Sequence, residues 1–190
     1  RCGRPRLFAR DPEPLPSGPV EPEGLSVEHD GRSIITSIGV HQSAIWIHDA
    51  HGERSLSSEG EIVANISPPC FGADDSVLYY LLQHGSDGPG PELWRMVVQS
   101  GMSEAVFPGV SMLAFDVAPD GKQVVYSAST RGGTTQLWLA PLDRSSPARR
   151  IGRTGETSPH FGRRGQILFR ATEGNFNYLE QMNPDGSEPS

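Results

Sequence analysis

Four times along the chain, a short polar turn is followed by a run of β-branched and aromatic residues. The runs are SIITSIG (33–39), SVLYYLLQ (76–83), QVVYSAST (123–130) and QILFRATE (166–173). The turns before them read HDGR (29–32), ADDS (73–76), PDGK (119–122) and RRGQ (163–166), and their third residues, Gly31, Asp75, Gly121 and Gly165, are spaced by 44, 46 and 44 residues. Near-continuous apolar runs of this length predict strands covered on both faces. A second strand follows each: AIWIHDAHG (44–52), ELWRMVVQSG (92–101), QLWLAPLD (136–143) and the weaker YLEQMNPDG (178–186).

The third repeat shows the unit most clearly. MLAFDVAP (112–119) runs in, PDGK reverses it and QVVYSAST returns. QLWLAPL (136–142) runs out again and ARRIGR (148–153) forms the edge. Asp-Gly suits the reversal because a tight hairpin needs positive φ, which Gly adopts without steric cost. ADDS and RRGQ each keep only one of those residues, so their turns are expected to differ. A four-stranded antiparallel meander repeating every 40–50 residues or so is one propeller blade. The expected class is therefore all-β, a β-propeller of four-stranded antiparallel blades. About four blades are expected, at 24–60, 61–110, 111–155 and 156–190, forming a segment of a larger ring of six to eight blades. Residues 1–23 form a Pro- and Arg-rich segment with a leftover outer strand at 12–18. The last repeat stops after its third strand. Trp46, Trp94 and Trp138 share one position in the repeat, as inter-blade packing would require, and Glu180 stands there in the fourth.

Composition adds exclusions. A net charge of −7 argues against nucleic acid as a partner, because phosphate binding depends on clustered Lys and Arg. Cys2 and Cys70 are the two cysteines and lack the spacing of a zinc site or a disulfide framework, so the compartment stays open. No apolar run approaches the roughly 18 residues of a membrane span.

FDVAPDGKQVVYSA (115–128) with QLWLAPLD (136–143), and VEHDGRSIITS (27–37) with SAIWIHDAHGE (43–53), resemble the TolB-like, WD-repeat-like β-propeller repeat. The resemblance covers about residues 20–187. It implies the fold strongly and function only broadly, since such repeats occur in periplasmic Tol-system proteins and in the propellers of prolyl-oligopeptidase-type peptidases. They are also found appended to bacterial receptor-type Ser/Thr kinases or winged-helix regulators, and IGVHQSAIWIHDAHGERSLSSEG (38–60) is most similar to that last group.

A propeller does not imply a reaction, so chemistry has to come from sites. There is no GxSxG elbow, and Ser37, Ser43 and Ser127 have no His or Asp at a recognisable spacing, so no catalytic residue is assigned. His48, Asp49 and His51 could in principle bind a metal, but they fall in a hairpin where turn geometry accounts for them. Neither a metal nor a cofactor is expected. What remains is recognition by loops that join second to third strands, or one blade to the next, since these gather on one face. His41, Gln42, Asp87, Arg131, Glu156, Asn175 and Phe176 are the candidate ligand-binding residues there. They suit a protein or peptide partner, or a small ligand. The expected role is a non-catalytic interaction or sensing module of a larger bacterial protein. The alternatives are the substrate-gating propeller of a peptidase whose catalytic domain lies elsewhere, or a TolB-like periplasmic scaffold.

Overall fold

The computed structural model describes residues 20–27, 34–40, 43–49, 52–57, 62–64, 66–83, 90–130 and 132–187. The chain divides into two compact units, Arg1–Gln42 and Ser43–Ser190. In the first, β1 (Val20–Val27) and β2 (Ile34–Val40) form an antiparallel hairpin with Val27 opposite Ile34.

The second unit holds β3 (Trp46–Asp49) and β4 (Gly52–Ser55), paired with each other, and then three successive sheets. The first of these, here blade 2, contains β5 (Ile62–Val63), β6 (Cys70–Phe71), β7 (Val77–Gln83), β8 (Glu92–Val97) and β9 (Ser103–Ala105), with β5 and β6 both paired to β7. Blade 3 is the full meander β10 (Ala114–Val117), β11 (Gln123–Ser129), β12 (Thr135–Pro141) and β13 (Arg149–Ile151). Blade 4 contains β14 (Thr157–Phe161), β15 (Ile167–Glu173) and β16 (Phe176–Met182), with β16 at its edge among the described residues.

The turns explain how one pattern tolerates different residues. Asp75, Gly121 and Gly165 all have positive φ, at 58°, 68° and 81°. Asp75 takes the glycine's place in positive φ, and Asp74 accepts the Ser76 N–H at 3.2 Å just as Asp120 accepts that of Lys122 at 3.0 Å. The fourth repeat's reversal is one residue shorter, since Phe161 faces Ile167 where Val117 faces Val124.

Alternation along each strand sends side chains to the two neighbouring blades in turn. Tyr79, Leu81 and Leu93 of blade 2 meet Val124, Tyr126 and Ala140 of blade 3 in one buried cluster. Val125, Leu137 and Leu139 of blade 3 meet Ile167, Phe169 and Met182 of blade 4 in another. Trp94 faces Tyr80 across its ladder and Trp138 faces Tyr126, each packed against a core cluster, and Phe169 faces Glu180 at the same register. Trp46 is exposed.

Candidate functional site

Three of the residues expected from sequence to bind ligand fall within the described structure: Glu156, Asn175 and Phe176. His41, Gln42, Asp87 and Arg131 lie outside the described residues. Glu156 sits in the β13–β14 connection and is buried. Its Oε2 accepts the Arg153 N–H at 2.8 Å, closing a tight loop in which Gly152 has φ of +67°. A Cβ at Gly152 would stand 2.0 Å from that oxygen and 2.8 Å from Met182 Cε, so only glycine fits. Burial pushes the Glu156 carboxyl above its ordinary range, and Glu180 adds to this while Arg153 and Arg150 oppose it. The residue that replaces tryptophan in the fourth repeat therefore joins a charged seam between blades 3 and 4.

Asn175 and Phe176 are exposed at the β15–β16 hairpin. The Phe176 ring is tilted against that of Tyr178, with centroids 6.5 Å apart. Leu179 follows on the same strand, 79% exposed. Every residue of β16 except Met182 is exposed, so the hairpin presents apolar side chains on a hydrogen-bonded scaffold.

Sequence reasoning missed a second constellation. Cys70 pairs with Tyr79, Asp116 with Val125 and His160 with Leu168, which places all three at the same register of consecutive inner strands. Asp116 Oδ2 accepts the Phe161 N–H of the next blade at 2.8 Å and lies 3.7 Å from His160 Nδ1. The Val117 N–H reaches the Cys70 thiol in the same way. Burial, with the Asp116 charge second, pushes that thiol up to about 12. The signal was present in the sequence, since each residue lies five positions before an aligned turn residue.

A cleft of about 540 Å³ opens between blades 2 and 3, within the size range of ligand pockets. Tyr79, Arg95, Glu104, Asp143 and Arg144 line it. Arg95 Nε donates to Glu104 at 2.6 Å, and Arg144 crosses from blade 3 to donate to the Ala105 carbonyl at 3.2 Å. Hydrogen bonds from Ser145 hold the Asp143 carboxyl below its usual range. Among the described residues, no three His, Cys, Asp or Glu side chains are grouped to hold a metal ion.

Blades 3 and 4 stack face to face through register-equivalent strands. The fold is that of a β-propeller, and solved TolB structures share it. The propeller matches a structure described as a putative TolB from Agrobacterium tumefaciens with a TM-score of 0.61 and 21% identity, over 95% of this chain and 69% of that one. It matches TolB from Acinetobacter baumannii with a TM-score of 0.60 and 18% identity, over 76% of this chain and 36% of that one. The propeller domain of the Trilobed protease from Pyrococcus furiosus matches with a TM-score of 0.51 and 13% identity, over 67% of this chain and 40% of that one. The chain thus spans well under two thirds of the Acinetobacter and Pyrococcus proteins. No family model matches, and no curated protein does either.

Proposed function

We propose that this propeller is a non-catalytic protein-interaction or ligand-sensing module of a larger bacterial protein, and that it binds through the loop end of blades 3 and 4. The observation that carries this reading is the exposed Phe176–Tyr178 pair, held on a paired strand. Exposed aromatic clusters on rigid scaffolds are a usual mark of recognition surfaces. Glu180, exposed on the same face of that strand, favours a partner that combines apolar and basic side chains.

Panning a random-peptide library against the chain tests this. Peptides enriched in aromatic and basic residues are expected, with binding lost in a Phe176→Ala, Tyr178→Ala double variant. Mass spectrometry of the bound peptides after long incubation should find them intact. Cleaved peptides would overturn the non-catalytic reading. Equal binding by the double variant would remove the loop end as the site.

A further inference from the structure

The reversals that follow β8, β12 and β16 are built alike. In each, a side-chain oxygen accepts the main-chain N–H two residues on: Ser100 from Met102, Asp143 from Ser145 and Asp185 from Ser187. The residue between them takes positive φ, and in blades 2 and 4 it is a glycine, Gly101 at 68° and Gly186 at 88°. In blade 3 it is Arg144, at 57°. A side chain in that region costs free energy that glycine does not incur, so the turn itself does not account for the arginine. Bridging to the next blade does not account for it either. Between blades 3 and 4 that work falls to Arg149 of β13, which donates to the main-chain carbonyls of Pro184 and Asp185 across the strain-free Gly186 turn. Backbone strain carried by a charged residue at a cleft points to the work of its side chain.

Arg144 lines the 540 Å³ cleft between blades 2 and 3, whose two walls belong to one compact unit. One of its N–H groups reaches the Ala105 carbonyl, and no carboxylate among the described residues pairs with it, which leaves its other donors open. Tyr79, opposite Arg95 in the β7–β8 ladder, lines the same cleft with a hydroxyl that makes no hydrogen bond among the described residues. Arg95 is paired with Glu104, and Asp143 stands beside Arg144, so the charges lining the cleft balance at two of each sign. A multiply charged anion would meet both carboxylates, whereas a ligand with one charge of each sign meets a partner for each. Val106 and Leu142 supply an apolar wall. From this we infer that the cleft binds a small amino-acid-type zwitterion, between a single amino acid and a dipeptide in size. Its planar carboxylate fits the open fork of the Arg144 guanidinium, with the Tyr79 hydroxyl as a further donor. Its ammonium group faces Glu104 and Asp143, and an apolar side chain lies against Val106 and Leu142.

Calorimetric titration of the full chain with leucine and with leucyl-leucine tests this. Saturable binding is expected for at least one of them. It should weaken by about tenfold or more for N-acetyl-leucine, which lacks the ammonium, and for leucinamide, which lacks the carboxylate, since each forfeits a charge-assisted hydrogen bond. Arg144→Gly should lose binding and melt no lower than the native chain, because glycine relieves the turn. Tyr79→Phe removes only the open hydroxyl, so it should weaken binding by about tenfold or less and leave the melt unchanged. Absence of saturable binding by both ligands would overturn the inference. So would N-acetyl-leucine or inorganic phosphate binding as tightly as leucine, which would make the cleft an anion site. A lower melt for Arg144→Gly would overturn it too, by showing that the arginine serves blade stacking. The Phe176–Tyr178 surface takes no part in any of these results, and the peptide experiment tests it separately.

Discussion

Asp116, on the inner strand of blade 3, accepts the main-chain N–H of Phe161 on the inner strand of blade 4 at 2.8 Å. That carboxylate links two blades through an atom every residue carries, so its partner's identity is free to vary. Asp116→Ala would leave the Phe161 N–H without its acceptor and cost about 1–3 kcal/mol. Asp116→Asn keeps a carbonyl oxygen there and should cost less. Urea unfolding of the two variants checks the ordering. An alanine variant as stable as the native chain would show that solvent replaces the bond.

The same carboxylate raises the Cys70 thiol, second to burial itself, which together push it up to about 12. In a Cys2→Ser background, the native chain should react with a thiol reagent near neutral pH only as fast as it opens, and the urea-unfolded chain should react at once. Rapid stoichiometric labelling of the native chain would contradict this.

Glu156 sets a pH dependence. Its carboxyl is raised in the folded state, so the fold binds that proton more tightly than the unfolded chain does. This contribution to stability is fully present below the ordinary glutamate range and is lost as pH rises through the raised folded value. Glu156→Gln keeps an oxygen for the Arg153 N–H and removes the buried charge. The variant should melt higher than the native chain at neutral pH and show a flatter pH profile above the ordinary carboxylate range. Thermal melts at several pH values would reveal a native advantage at neutral pH if this account is wrong.

Two leucines at one register position should respond oppositely to truncation. Leu137→Ala opens a cavity between blades 3 and 4 and should cost about 2–5 kcal/mol. Leu179→Ala should stay within about 0.5 kcal/mol of native. Denaturant midpoints of the two variants settle the comparison, and similar losses in both would contradict the exposure of Leu179.

What the sequence alone determined is the repeat: its spacing, its turns and its alternating strands. Asp75, Gly121 and Gly165 align by simple counting and all take positive φ, because a local backbone reversal depends on local residues. The place of Glu180 in the tryptophan series was also legible, since ladder register follows from turn length. Glu156 was readable as a loop residue but not as a buried one, because its burial comes from Gly152, Met182 and the seam with blade 4. Only tertiary structure decided which side chains of one blade meet the backbone of the next. Cys70, Asp116 and His160 each lie five residues before an aligned turn residue, but that counting does not show that Cys70 and Asp116 reach the backbone of the next blade, which the stacking of the blades decides. Leu137 and Leu179 are alike in sequence and register, and they differ only in whether another blade covers them.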